Sequence, residues 1–203
     1  AMLVGIAIDD GIIGSVDEPV SNYLTEWKGD SRNIITIKNL LQQSSGLDYP
    51  EFSFHPLSDF NQLMLGEDVT SITLKQKAYR NPNEIFEYNG VNPQNLGLLL
   101  QRASGKRYAD LLSEKLWQYI AENDATVILD SDRNRMPRTY CCLNATARDW
   151  LRIGILILNE GKMGQKQIIP KSWLNDMATS SQANPNYGYL TWLGNEHQKN
   201  RVY

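Results

Sequence analysis

The sequence predicts a mainly α chain, and three observations carry that expectation. Apolar residues recur at helical spacing over 92–104 and 108–120. Helix starts carry hydroxyl caps at Thr36 and Thr146, and glycines stand where those helices should stop. Only one short stretch, Tyr187–Leu193, alternates in the manner of a strand.

Taken in chain order, Leu3–Ile13 reads as the end of an apolar helix that closes at Gly11 or Gly14. Ser15-Val16-Asp17-Glu18 is a capping-box pattern, followed by a short helix to Leu24. Thr36 caps a helix through Gln43, with Ile37, Leu40 and Leu41 on one face and a left-handed stop at Gly46. Residues 48–70 read as an irregular, aromatic excursion, and Ser71–Gln76 as a short helix. Asn81-Pro82-Asn83 makes a turn. Asn92–Ser104 is a helix with Leu96, Leu99, Leu100 and Ala103 as its apolar stripe, ended by Gly105. Tyr108–Ile120 follows, with Ala109, Leu112, Leu116 and Ile120 at helical spacing. Thr146-Ala147-Arg148-Asp149 is a second capping box, opening a helix through Asn159 that ends at Gly161. Pro170 sits in the first turn of a last helix running to about Thr179. Residues 187–203 read as the first strand of a sheet that only ten further residues after Leu193 cannot complete. The chain therefore reads as a single fragment, cut at both ends.

Composition narrows the function classes. Of 203 residues, 41% are apolar and 21% charged, enough to bury a core and stay in solution. The net charge is −3 and Lys and Arg are interspersed with Asp and Glu, so no basic stripe displaces phosphate counterions and no nucleic-acid partner is expected. No run is long enough to span a membrane, because Asp9 and Asp10 break Leu3–Ile13. No basic segment precedes that run, so no targeting signal is read. A bacterial cytoplasm and a periplasm both stay open. Cys141 and Cys142 are adjacent, and neighbouring cysteines rarely meet disulfide geometry, so no disulfide is expected. A packing role is favoured for them over metal or redox chemistry. His55 and His197 have no partner spacing and read as solvated. Asn144-Ala145-Thr146 matches a glycosylation acceptor, but its threonine is better explained as a helix cap.

Common nucleophile motifs are missing from these residues. There is no G-x-S-x-G, no H-E-x-x-H, no G-x-x-x-x-G-K, no S-x-x-K and no K-T-G, K-S-G or H-x-G. Ser45 has no lysine or histidine at helical spacing and reads as a cap. Four segments remain informative as an ordered set: VGIAIDDGIIGSVDEPVSNYLTEW at the start, ITIKNLLQQSSGL (34–47), FEYNGVNPQNLGLLLQRASGKRYADLLSEKLW (86–117) and CCLNATARDWLRIGILILNEGKMGQKQIIPKSWL (141–174), with YGYLTWLG (187–194) behind. In this order and spacing the chain resembles the serine hydrolases of the penicillin-binding-protein and class C β-lactamase type. It looks most like the branch of 6-aminohexanoate-oligomer hydrolases and esterases.

The resemblance implies a helical domain packed beside an antiparallel sheet, of which this chain supplies mostly the helical domain. It implies acyl transfer from an amide or ester to a serine, then hydrolysis, with no metal or cofactor. The family's S-x-x-K would lie about two helical turns before the first residue, and its third motif beyond Tyr187–Leu193. Tyr88-Asn89-Gly90 falls on the family's Y-x-N or Y-x-S motif. Tyr88 then matches the tyrosine that exchanges a proton with nucleophile and leaving group. Gly90 departs from the motif, having no side chain to hold lysine or substrate, and Asn89 or Asn92 stands in as substrate-binding candidate. Trp192 and Tyr189 would bound an acyl pocket. Cys141-Cys142 sits where many relatives have Gly-Gly. Alone, the chain is expected to be inactive. The alternative is a non-catalytic helical interaction module that self-associates through apolar patches at Leu3–Ile13 and Tyr187–Leu193.

Overall fold

The computed structural model describes residues 1–49 and 54–194. Helix α1, Met2–Asp9, is apolar on nearly every side, and Leu3, Val4, Ile6 and Ala7 are all buried. Its Gly5 lies against the Trp173 ring, where a Cβ would not fit. The chain leaves α1 through Gly11 at φ +70°, a left-handed conformation that glycine adopts at little cost.

The short helix expected to Leu24 is a pair of 3-10 turns, Val20–Asn22 and Thr25–Trp27, with a third at Ser31–Ile34. Ser15 closes only a local turn, its Oγ accepting from Asp17 N at 3.2 Å, and the cap of the first 3-10 turn is Pro19. Helix α2, Ile37–Leu41, opens on a reciprocal box: Asn39 N donates to Thr36 Oγ1, and Thr36 N donates to Asn39 Oδ1 at 2.8 Å. It ends earlier than predicted, because Gln43 itself turns left-handed at φ 55°, ahead of Gly46 at φ +72°.

The excursion at 48–70 contains a helix the sequence did not announce, α3, Asp59–Leu65, with Ser58 as its cap. Only Leu63 on it is buried, so no apolar stripe marks it. Long-range polar contacts hold it instead. Buried Arg138 donates to Leu63 O and, at 2.7 Å, to Gly66 O, and Tyr140 Oη donates to Leu63 O at 2.9 Å. Helix α4, Val69–Leu74, starts two residues earlier than expected because Asp68 caps it.

Helix α5, Val91–Ser104, is the axis of the molecule. It packs on α1, α2 and α4, and ends at Gly105 in the left-handed conformation, φ +66°. Next comes α6, Tyr108–Leu112, which passes through a π turn, Ser113–Trp117, into α7, Gln118–Ile120. Strand β1, Thr126–Val127, pairs antiparallel with β2, Leu143–Asn144. Helix α8, Ala147–Leu158, is capped by Thr146, whose Oγ1 accepts from Asp149 N. The Asp149 carboxylate does not return to the cap backbone as a capping box would. Fully buried, it accepts from Glu122 N at 2.8 Å and Asn123 Nδ2 at 3.1 Å, tying α8 to the end of α7. These hydrogen bonds, led by the Glu122 amide, hold its carboxyl below the usual aspartate range. The hairpin β3–β4, Lys162–Met163 with Lys166–Gln167, leads to α9, Lys171–Met177, with Pro170 at its cap.

Three expectations are corrected. Tyr187–Leu193 folds back on itself as a tight hairpin, with an antiparallel bridge between Tyr187 and Trp192, rather than running on as one extended strand. Gly188 N donates to Thr191 O at 2.9 Å, Leu193 N to Asn186 O at 2.8 Å, and Leu190 sits at its tip with φ 47°. Its rings enter two separate aromatic contacts, Tyr187 with Trp192 and Tyr189 with Trp173. Next, the apolar patches predicted at Leu3–Ile13 and Tyr187–Leu193 are largely interior: Ile13 is fully buried, and Tyr187 and Tyr189 are nearly so. Exposed apolar side chains lie elsewhere, at Phe54, Leu57 and Leu65 and on α8, where Leu151, Ile155 and Leu158 follow at helical spacing beside Trp150. Finally, Cys141 and Cys142 are joined sulfur to sulfur. Cys142 takes a left-handed backbone there, φ 72°. Among the described residues no helix is long and apolar enough to cross a membrane, and no group of three or more His, Cys, Asp or Glu side chains is arranged to hold a metal. His55 is exposed, with its Nδ1 accepting from Leu57 N. His197 lies outside the described residues.

Candidate active site

Tyr88 stands in the last loop before α5, and its ring is 62% exposed. What fixes the loop is a buried polar network reaching from the end of α2. The left-handed turn at Gln43 aims its carboxamide at the loop backbone. Gln43 Nε2 donates to Asn89 O at 3.1 Å, while its Oε1 accepts from Asn89 N at 3.4 Å and from Asn92 Nδ2 at 2.7 Å. Gln43 O also accepts from Glu87 N at 2.8 Å. One glutamine thus clamps the backbone on both sides of Tyr88.

The network closes on the asparagines. Asn89 Oδ1 accepts from Asn92 N at 3.1 Å, Asn89 Nδ2 donates to Glu87 O at 3.2 Å, and Asn92 Oδ1 accepts from Ser45 Oγ at 2.6 Å. Asn92 is fully buried and Asn89 almost so. Both were sequence candidates for substrate binding. Their amide groups are engaged inside the protein, so the contacts they make position the turn beneath Tyr88. Ser45 is likewise buried, its Oγ donating to Asn92 Oδ1 and accepting from Leu47 N, in keeping with a structural serine. Buried polar groups of this kind rigidify a site when all are satisfied.

Gly90 is explained by a neighbour rather than by flexibility. Its φ of −80° suits any residue. A Cβ there would stand 3.3 Å from Tyr140 Cγ, so the Tyr140 ring fills the space a motif side chain would use. Tyr140 is held in turn by its hydrogen bond to Leu63 O.

Beyond the turn stands an aromatic wall. The Tyr88 ring centroid is 5.6 Å from Trp192 and 6.2 Å from Tyr187. Phe86 is 4.9 Å from Tyr187 and 5.8 Å from Trp192. Two candidates widely separated in sequence, Tyr88 and Trp192, are therefore brought together, and Trp192 keeps 42% of its surface exposed. Tyr189 goes elsewhere, packing on Trp173 at 5.3 Å. Tyr187 is nearly buried; desolvation, with the neighbouring Tyr88 phenol adding to it, pushes its hydroxyl up to about 12, against a hydrogen bond with Gln43. Tyr187 thus stays neutral over the physiological range and serves as wall, while Tyr88 is the exposed phenol of the pair. Sequence reading missed Gln43 and Phe86. A glutamine next to a predicted helix stop gave no signal of the reach of its side chain.

Chemically, the arrangement offers a rigidly held, accessible phenol beside an apolar aromatic surface. A phenol so placed can pass a proton to or from a group brought against it.

The profile of the family described as Beta-lactamase matches residues 1–194. A 6-aminohexanoate-dimer hydrolase of Paenarthrobacter ureafaciens is 25% identical, over 86% of this chain and 47% of its own length. The chain thus spans about half the length of that relative. A solved structure from Bacillus anthracis, described as a 6-aminohexanoate-dimer hydrolase, superposes with a TM-score of 0.83 at 22% identity, covering 98% of this chain and 57% of that one. The octameric penicillin-binding protein homologue from Pyrococcus abyssi superposes with a TM-score of 0.68 at 15% identity, covering 95% and 50%. At these identities the superpositions establish the fold, and α1–α9 are the helical portion of it.

Proposed function

The chain belongs to the β-lactamase family of hydrolases, and we propose that it is part of a class C-type serine hydrolase that opens an amide or ester through an acyl-enzyme. The single observation that carries this reading is the Tyr88 turn: the motif tyrosine is accessible, clamped by Gln43, and faced by Trp192. In that role Tyr88 relays the proton between the attacking hydroxyl and the leaving group. Asn89 and Asn92 act as positioning residues. The aromatic wall of Phe86, Tyr187 and Trp192 favours an apolar acyl or alkyl chain beside the reacting carbonyl. The 6-aminohexanoate-dimer hydrolase of Paenarthrobacter ureafaciens supports a short linear amide as substrate class.

These 203 residues contain no S-x-x-K, and a tyrosine without the serine and lysine has nothing to acylate. The chain alone is therefore expected to hydrolyse p-nitrophenyl acetate no faster than buffer. The protein expressed from its full reading frame is expected to turn the ester over, with Tyr88→Phe lowering kcat by about 10²-fold or more. No turnover by the full protein would overturn the hydrolase reading. Turnover by the 203 residues that Tyr88→Phe abolishes would overturn the inactivity of the piece. A second reading, a non-catalytic helical interaction module, is favoured by the exposed apolar face of α8. It would prevail if the full protein lacked activity and bound a partner through that face.

A further inference from the structure

The sequence holds two cysteines, and they are neighbours. Cys141 and Cys142 are joined to each other, closing a small ring through a single peptide unit. Cys142 holds φ 72°, a conformation in which glycine is the ordinary occupant. Cys141 is exposed and Cys142 half-buried, so the pair is open to small reagents.

The pair also has somewhere to act. It lines a cavity of about 350 Å³ whose wall includes Tyr108, Arg138, Tyr140 and Trp150. The residue just before the pair, Tyr140, is the one whose ring packs on Gly90. The ring therefore joins this cavity to the turn that carries Tyr88.

We propose that Cys141–Cys142 is a reversible thiol–disulfide redox site built into the wall of this cavity, with the cavity shape differing between its oxidised and reduced forms. In the oxidised form the ring fixes the left-handed turn at Cys142. Reduction by a small thiol breaks the sulfur–sulfur bond in two steps. A thiolate attacks one sulfur to give a mixed disulfide, and a second thiol displaces it. Two electrons and two protons pass to the cysteines, and the two external thiols leave as their own disulfide. With the ring open, Cys142 is released to a right-handed backbone, and the Tyr140–Leu143 segment moves with it. The reduced pair places two thiols on adjacent residues, an arrangement that chelates a trivalent arsenical.

The proposal does not depend on hydrolytic activity, and its test reads none. The protein is equilibrated in glutathione buffers of graded ratio, then alkylated with iodoacetamide and weighed. Two thiols per chain are expected to become labelled in reducing buffer and none in oxidising buffer, reversibly. Phenylarsine oxide is expected to bind one per chain to the reduced form, with at least tenfold weaker binding to the oxidised form. Trp150 emission, isolated by difference against Trp150→Phe, is expected to shift between the two forms. Cys142→Gly, which suits the left-handed backbone, is expected to fold normally, to lose arsenical binding and to lose the Trp150 shift. Labelling of both cysteines in oxidising buffer, or a disulfide only between two chains, would overturn the redox site. Ring closure without any Trp150 shift would overturn its coupling to the cavity.

Discussion

At the scale of single residues, the site rests on amide groups whose exchange for apolar ones has a definable cost. Replacing Asn92 by Leu removes the acceptor for the buried Ser45 hydroxyl and the shorter of two donors to Gln43 Oε1, which keeps only the 3.4 Å bond from Asn89 N. Each such loss costs roughly 1–3 kcal/mol, so Asn92→Leu is expected to lower unfolding free energy by about 2–3 kcal/mol in a urea titration. Tyr88→Phe, at an exposed ring, is expected to change it by less than about 0.5 kcal/mol. A flat response to Asn92→Leu would mean that the Gln43 clamp is not holding the turn. Gly90 gives a second residue-scale outcome. Gly90→Ser pushes its new Cβ toward Tyr140 and is expected to destabilise by about 1 kcal/mol. In a Tyr140→Ala background the penalty should vanish, which a double-mutant cycle reads directly. The sequence offered Tyr88, Asn89, Asn92 and Trp192 as candidates. It could not say that two of them face inward, because burial of a polar side chain depends on a partner 46–49 residues away at Gln43.

At the scale of elements, what the sequence made readable were the helices with both an apolar stripe and a cap, namely α2, α5 and α8. Helix α3 has a cap but one buried residue, and its support comes from Arg138 and Tyr140 far along the chain. Local patterning carries no trace of such contacts. The Tyr187–Leu193 segment was legible only in part: it pairs with itself, Tyr187 opposite Trp192, and the turn at Leu190 that folds it back leaves no mark in the alternation. One inter-element contact has a pH signature. Arg102, in the last turn of α5, grips Glu26 of the second 3-10 turn through two bonds of 2.7 Å. The Arg102 hydrogen bond, opposed by desolvation, brings the Glu26 carboxyl down from 4.5 to about 2. Because the folded value is depressed, the pair stabilises the fold above about pH 4.5, and that stability is lost as pH falls toward 2. Both side chains are partly solvated, 32% and 44% exposed, so solvent screening limits the contribution to about 1 kcal/mol or less. Glu26→Gln is therefore expected to be less stable than the parent at pH 7 by that amount and indistinguishable from it near pH 2. A gap that persisted at pH 2 would point to packing rather than charge.

At the scale of the whole molecule, the interior is settled around α1, α5 and Trp173, and the outer face of α8 is not. Sequence patterning placed the uncovered apolar surface at Leu3–Ile13 and Tyr187–Leu193, because both segments are apolar and lie near the chain ends. In the fold both are largely interior, since α5 and α9 cover them. Helix α8 reads in sequence as an ordinary amphipathic helix, yet Leu151 is 66% exposed and Leu158 is 81% exposed. Contiguous apolar surface of this kind in water drives association. The 203-residue chain is accordingly expected to self-associate, its gel-filtration elution moving earlier as loading concentration rises. The substitutions that test this must leave the helix intact. Lys at position 158 falls in the last turn of α8, where a positive charge agrees with the helix dipole, and Glu at position 151 is a good helix former. Leu151→Glu combined with Leu158→Lys is expected to give one concentration-independent monomer peak with unchanged far-UV circular dichroism. If the parent chain already runs as a monomer at high concentration, the α8 face is not an association surface. If the double variant still associates, the contact lies elsewhere on the molecule.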